Sequence, residues 1–257
     1  MTSVIWDSII NEAEYIIGRE PLVSSFLQAH VLGVRGLDAC LASILSERLS
    51  DTHITRDACY DLIVGSLEDN PDVMFMIERD LQASVDRDPA CNSFLDAVFF
   101  SKGFVALTTY RISRIELLKG HIRTSLLLKT RNSEVFGVDV HPSSRIGSGV
   151  MIDHATGVVI GETAVLGNDS SLLHGVTLGG TGKVKGDRHP KIGEGVMIGA
   201  GASVLGNIKV GDCARVGAGS VVLNDVAKYT TVAGVPARVV GVVNKTETPS
   251  EDMDQRV

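Results

Sequence analysis

Two short segments carry the side chains best suited to chemistry. The first is Val138-Asp139-Val140-His141-Pro142, and the second, a little further along, opens with a pair: Asp153-His154-Ala155-Thr156-Gly157. A carboxylate such as Asp139 that accepts the imidazole Nδ1 proton leaves Nε2 free as a base, the logic by which acyl-transfer enzymes activate a hydroxyl. A surface histidine beside a loop aspartate is the plainer reading of the same residues. Further on, Arg188-His189 lies among Lys183, Lys185 and Lys191. A guanidinium grips a carboxylate through two parallel hydrogen bonds, although a merely solvated basic loop has the same composition. Gly179, Gly180 and Gly182 offer bare backbone N–H groups that a ligand carbonyl or phosphate can approach. A competing chemistry uses His141, His154, His174 and His189, since three imidazoles can hold Zn²⁺ with water as fourth ligand. Asp153 directly beside His154, and the carboxylate-gripping character of the Arg188-His189 loop, favour base catalysis over zinc.

These residues need a frame, and the frame is a beat of six. Aliphatic residues recur at Val140, Ile146 and Ile152, at Ile160, Leu166, Leu172 and Leu178, and again from Ile192 through Ile198, Val204, Val210 and Val216 to Val222. Neither a 3.6-residue helix nor an alternating strand sustains such a period. It marks a hexapeptide β-helix, in which each repeat is one short strand plus a corner and three repeats close one coil. Asp139 and Asp153-His154 are then expected on neighbouring coils of one wall.

The beat breaks twice. From Ile152 to Ile160 the step is eight, placing two extra residues within Asp153–Gly157. From Leu178 to Ile192 it is fourteen, read as one repeat plus an eight-residue excursion, because Thr181–Lys191 has no inward aliphatic rhythm. Insertions in a solenoid map to loops, often on the binding face. Both breaks carry histidine and aspartate, and that coincidence points to an active site.

Ahead of the repeats the pattern is helical. Ile5, Ile9, Ile10, Ile16 and Ile17 follow helical spacing, Pro21 starts a second segment, and Leu37, Leu41, Ile44, Leu45 and Leu49 form a third stripe. Asp72–Val85 and Phe94–Leu118 continue it, and no catalytic motif is evident by spacing in this half. Seven of the 27 glycines lie in residues 1–137 and the rest beyond, which marks a boundary near Gly137. A net charge of −7 argues against a nucleic-acid partner. Cys40, Cys59, Cys91 and Cys213 lack paired or metal-type spacing, consistent with reduced thiols. No secretory signal is visible, nor any apolar stretch long enough to span a bilayer, so the expected location is cytoplasmic, without a membrane.

The runs from Val138 to Pro142, from Asp153 to Val165, Val176–Lys183, Gly186–Ile192, Gly217–Val222 and Ala233–Arg238 together strongly resemble serine O-acetyltransferases. The resemblance is close over residues 70–241. It implies an α+β, multi-domain chain: a helical oligomerisation domain (1–137), a left-handed parallel β-helix (138–241) and a flexible tail (242–257). It implies transfer of acetyl from acetyl-CoA to the L-serine hydroxyl, giving O-acetyl-L-serine for cysteine synthesis, without a metal. His154 matches the general base and Asp139 its orienting partner. Asp88 and Asp153 match the pair that holds the serine ammonium, and Arg188 and His189 the residues near its carboxylate and hydroxyl. Acetyl-CoA is expected against Gly180, Thr181, Gly182, Ala200, Ala218 and Arg238. L-Cysteine, differing from serine by one chalcogen atom, is the expected competitive inhibitor. Family members resemble homotrimers, paired by their helical domains into hexamers, with sites between neighbouring β-helices. Alternatives on the same scaffold are a zinc hydrase of the γ-carbonic-anhydrase type, an O-acetyltransferase with another acceptor, and a non-catalytic scaffold.

The tail departs from the family. Thr246–Val257 is polar and reads as disordered. It ends in valine where many members carry the isoleucine that inserts into O-acetylserine sulfhydrylase. One methylene is worth about 0.8 kcal/mol. With Arg256 beside it, the expectation is weak or absent contact with that enzyme.

Overall fold

The computed structural model describes residues 4–182 and 185–256; Lys183 and Val257, singled out above, lie outside them. Helices α1 (Val4–Ile17), α2 (Pro21–Leu27), α3 (Leu37–Leu49) and α4 (Arg56–Glu68) are followed by α5 (Pro71–Arg87), α6 (Phe94–Phe100), α7 (Lys102–Leu118) and α8 (Ile122–Phe136). Residues Gln28–Leu32 form a π-helical turn directly after α2. Helix starts follow their local chemistry. Pro21 and Pro71 sit at first-turn positions, where a missing N–H costs nothing. Thr55, Ser93 and Ser101 cap α4, α6 and α7 through side-chain oxygens. Gly137 ends α8 in the left-handed conformation, φ 68°, and the chain then enters the first strand at Asp139.

From there short parallel strands wind into three walls, a left-handed β-helix. Wall A stacks β1 (Asp139–Val140), β4 (Val159–Ile160), β7 (Thr177–Gly179), β10 (Ser203–Leu205) and β13 (Val221–Val222). Wall B stacks β2 (Arg145–Ile146), β5 (Val165–Leu166), β8 (Lys191–Ile192) and β11 (Lys209–Val210). Wall C stacks β3 (Met151–Ile152), β6 (Ser171–Leu172), β9 (Met197–Ile198), β12 (Arg215–Val216), β14 (Thr230–Gly234) and the antiparallel β15 (Ala237–Val242). The aliphatic beat is the set of inward residues, with Ile160, Leu172, Leu178, Ile198 and Val204 all 1 % exposed or less.

Register verifies the reading of both breaks. Ile160 pairs with Leu178, an uninterrupted coil of three repeats. Ile152 pairs instead with Leu172, two positions beyond three repeats, which is the first insertion. Leu166 pairs with Ile192, eight positions beyond three repeats, which is the second.

The two halves are not beads on a string. One cluster of buried apolar residues runs from Trp6 to Val232. Polar bonds reinforce the seam. Asp80 of α5, 1 % exposed, accepts from Arg111 Nε of α7 at 2.6 Å and from the Val150 N–H at 2.9 Å. Arg111 also donates to the Gly147 carbonyl at 2.6 Å, and the Tyr110 hydroxyl to that of Ser144 at 2.7 Å. Burial pushes the Asp80 carboxyl up, while Arg111 and the N–H groups of Val150 and Gly149 pull it down. A Cβ at Gly103, at the start of α7, would collide with the Ile152 carbonyl oxygen.

The tail differs from its sequence expectation. Instead of running free, it forms α9 (Pro249–Asp252), whose Pro249 and Ser250 are buried. Ser250 satisfies both its polar groups against wall C, its hydroxyl donating to the Asp169 carbonyl and its carbonyl accepting from Ser171 Oγ at 2.8 Å. A mostly polar segment docks because a proline and a serine supply the two buried contacts. Composition does not reveal that.

Removing one member of a buried ion pair strands the other charge. Arg111→Leu is therefore expected to cost about 3–5 kcal/mol, read as a lowered urea midpoint. A loss under about 1 kcal/mol would mean the seam does not depend on this pair.

Candidate active site

The first insertion sits at the corner where wall C turns into wall A. There the chain takes an uncommon path: His154 and Ala155 both have left-handed φ, 56° and 60°, in residues with side chains. Such strain persists only where the surroundings impose it. Asp153 N–H bonds to the Leu172 carbonyl at 2.8 Å on one side, and Gly157 N–H to the Gly137 carbonyl at 2.8 Å on the other. The two extra residues must therefore bulge outward. Ala155 turns in and is buried, whereas the His154 side chain is 73 % exposed.

Asp153 lies beside the ring, its Oδ2 3.6 Å from His154 Nε2, and His174 from the next coil meets the ring edge-on at 5.7 Å between centroids. Asp88 arrives from the helical half as the residue just after α5. Its Oδ1 accepts from the Ala90 N–H at 2.8 Å. Asp88, Asp153 and His154 line one cavity of about 610 Å³, together with Arg87, Met151 and the tail residues Glu251, Asp252, Met253 and Gln255. The sequence pointed to three of these residues. The tail wall was missed, because nothing in its composition signals docking.

Asp139 departs from its expected place. It opens wall A opposite Val159, at the far base of the bulge from His154, and its Oδ1 pairs with Lys129 Nζ of α8 at 2.7 Å. Among the described residues no hydrogen bond joins Asp139 to His154; the carboxylate beside the ring is Asp153. A spacing that contains a corner insertion brings residues near without placing them on one wall.

Arg188 and His189 lie at a different corner, where wall A turns into wall B. The organiser there is Thr163, which sequence reasoning passed over. Its hydroxyl oxygen accepts from the Arg188 N–H at 3.0 Å and the His189 N–H at 3.2 Å, and lies 2.9 Å from His189 Nδ1. The Thr163 N–H also reaches Nδ1, at 3.1 Å. With Nδ1 accepting, a neutral His189 carries its proton on Nε2, as a donor. The ring lies against Gly161, where any Cβ would overlap it. Arg188 pairs with Glu162 Oε2 at 2.8 Å, and this guanidinium holds the Glu162 carboxyl below the usual range. Lys191 closes the loop on Asp187 at 2.5 Å and on the Thr163 and His189 carbonyls.

Residues expected to hold the cosubstrate divide likewise. Gly180, Thr181 and Gly182 follow wall A at the A–B corner, Ala200 and Ala218 sit at the C–A corner on coils beyond His154, and Arg238 is on the exposed hairpin strand β15. At the C–A corner, Gly157, Gly175, Gly201 and Gly219 stack in register, each with φ between 67° and 80°. A Cβ at Gly201 or Gly219 would meet nothing within 4 Å, so the backbone edge is uncrowded there. The four histidines weighed as zinc ligands split two and two, His154 and His174 at one corner, His141 and His189 at the other. Among the described residues no three acidic, histidine or cysteine side chains converge on a metal position.

Comparison with known proteins follows this geometry. A model described as serine acetyltransferase, N-terminal, matches residues 5–109, and one described as bacterial transferase hexapeptide (six repeats) matches residues 189–224. The chain is 47 % identical to mitochondrial serine acetyltransferase 3 of Arabidopsis thaliana over 98 % of its own length and 65 % of that protein's. It is 45 % identical to the Escherichia coli serine acetyltransferase, covering 98 % of this chain and 92 % of the other. A Neisseria gonorrhoeae serine acetyltransferase solved with serine superposes at TM-score 0.89, 46 % identity, 92 % of this chain and 98 % of that one. A Brucella abortus enzyme with coenzyme A gives TM-score 0.92, 45 % identity, 95 % and 97 %. A serine acetyltransferase solved with cysteine gives 0.96, 43 % identity and 98 % of both chains.

Burial holds His189 below the ordinary imidazole range, helped by Arg188, and burial does the same to His141 and His30. The fold thus disfavours their protonation. Above about pH 6.5 both folded and unfolded chains are neutral at these sites and stability is undiminished. As pH falls through that value the unfolded chain binds protons that the folded chain refuses, so stability drops. Urea unfolding is expected to show a lower free energy at about pH 5.5 than at about pH 7.5, with a shallower drop in His189→Gln. A flat profile would contradict it.

Proposed function

This chain belongs to the serine acetyltransferase family, and on that premise we propose that it transfers the acetyl group of acetyl-CoA to the hydroxyl of L-serine. The observation that carries the reading is the cavity holding Asp88, Asp153 and His154: two carboxylates suited to an ammonium, beside an exposed base. The ammonium sits on Asp88 and Asp153. His154 Nε2 takes the hydroxyl proton as the serine oxygen attacks the thioester carbonyl, which contributes about 10²–10⁴-fold. The tetrahedral intermediate collapses, the C–S bond breaks, and the departing thiolate recovers the proton from His154. O-acetyl-L-serine and CoA leave. Backbone N–H groups are the natural stabilisers of the oxyanion. Asp139 orients the imidazole, its second carboxylate oxygen remaining available while Oδ1 pairs with Lys129.

Arg188 and His189 hold the serine carboxylate, but they lie across wall A from His154 in the same chain. A second copy, presenting its A–B corner to this C–A corner, brings the two halves together. The site is therefore shared between protomers of a trimer, and the uncrowded edge at Gly201 and Gly219 takes the CoA arm between Ala200 and Ala218 of one chain and Gly180, Thr181 and Gly182 of its neighbour, near Arg238. The helical domains pair trimers into a hexamer. Free cysteine satisfies the same ammonium and carboxylate contacts and competes with serine. No described helix is long and apolar enough to cross a membrane, and the working location is the cytoplasm.

Thiol release in the presence of serine and acetyl-CoA tests the chemistry. His154→Ala is expected to lose at least about 100-fold in kcat, on the order of a missing general base, with CoA binding retained, and Asp139→Asn to lose less. Activity above a tenth of the parent's in His154→Ala would place the base elsewhere. Mixing tests the shared site. His154→Ala and Arg188→Ala homo-oligomers are each expected to be nearly inactive, yet subunit exchange between them regenerates sites with both residues intact. No recovery in verified mixed oligomers would put the whole site within one chain.

A further inference from the structure

We propose that Ser171 is a positioning residue that couples docking of the C-terminal segment to the placement of Asp88, and that the docked segment completes the ammonium pocket. The inference rests on the acceptor reading above. Ser171, in β6, is fully buried, and its hydroxyl joins two segments far apart in sequence. Arg87 Nη1 donates to Ser171 Oγ at 3.1 Å, and Ser171 Oγ donates to the Ser250 carbonyl at 2.8 Å. The directions are fixed, because a guanidinium only donates and a carbonyl only accepts. Ser250 Oγ in turn donates to the Asp169 carbonyl.

Each end of this relay borders the cavity. Arg87 immediately precedes Asp88 in the chain; its side chain is 6 % exposed and also reaches the Ser170 carbonyl at 3.4 Å and Asp169 at 3.9 Å. Ser250 immediately precedes Glu251 and Asp252, which line the cavity with Asp86, Asp88 and Asp153. The docked tail thus brings two more carboxylates to a pocket that holds one guanidinium. Docking and the setting of Asp88 meet at this hydroxyl, so its loss leaves the Ser250 carbonyl without that bond and removes one contact from each end.

The test uses the full-length chain and four variants of one cycle: parent, Ser171→Ala, Glu251→Gln with Asp252→Asn, and all three together. Ser171→Ala is expected to raise the serine KM about fivefold, within the range of partly exposed charge contacts, with kcat and the acetyl-CoA KM within about twofold. Amide hydrogen exchange over residues 249–256 is expected to quicken in Ser171→Ala and to stay at the parent rate in the tail-charge variant, whose serine KM rises alone. The triple variant is expected to be no worse than the tail-charge variant plus the share due to Asp88, a clear non-additivity. An unchanged serine KM in the tail-charge variant, whose sites are exposed and whose folding is secure, overturns the proposal. So does full additivity, or parent-like exchange in Ser171→Ala. Absence of serine-dependent thiol release in the parent itself would instead overturn the acceptor reading and leave the exchange result standing as a measure of tail docking.

Discussion

The structure depends on one constraint, the closure of a coil in three hexapeptide repeats. Three short strands and three corners use that length, and every ladder hydrogen bond between coils demands that the next coil arrive in register. The chain cannot absorb an extra residue inside the prism, because one displaced position would turn the inward aliphatic outward. Surplus residues must leave at a corner, between ladder bonds that hold both ends of the excursion. The small surplus at Asp153–Gly157 and the larger one at Thr181–Lys191 are thereby fixed at their bases. Groups that must move little during chemistry ride on short, stapled bulges of a rigid frame.

This is also why so much was legible in the sequence. A period of six has one structural meaning, so walls, inward residues and both insertion sizes followed from Ile160, Leu166, Leu172 and their successors alone. What resisted reading were contacts that depend on side-chain reach rather than period. Thr163 organises the Arg188-His189 loop with one hydroxyl, and threonine in a repeat gives no hint of that. Asp139 and His154 are close in sequence spacing, yet one opens wall A with its Oδ1 on Lys129 while the other rides the corner bulge. The short helix of the tail was not foreseen because disorder is inferred from composition, while its buried contacts come from Pro249 and Ser250.

Charge is divided between two corners, an arrangement that suits the zwitterionic acceptor we propose. The corner bearing His154 is acidic, with Asp88, Asp153 and the tail carboxylates around it, and the corner bearing Arg188 is rich in donors, with His189 held as a neutral N–H. One chain keeps the two apart by the width of a wall. On our proposal, a ligand with an ammonium and a carboxylate a few bonds apart selects a junction between two copies, and oligomerisation becomes part of recognition.

The helical half also shapes the cavity. The β-helix contributes Asp153 and His154 from its own corner but has no backbone from which a carboxylate could face them across a cavity. Asp88 supplies it only because α5 ends above that corner, and α5 ends there because Asp80 and Arg111 clamp it to Val150 and Gly147 while Arg79 and Arg87 reach Asp169 and Ser170. Gly103 lets α7 touch the Ile152 carbonyl just before the bulge. The strained turn at His154 is therefore braced from the helical side as well as from its own coil. Asp88 and His154 are set by one continuous body, and the cavity they share is a property of the seam between the two folds rather than of either alone.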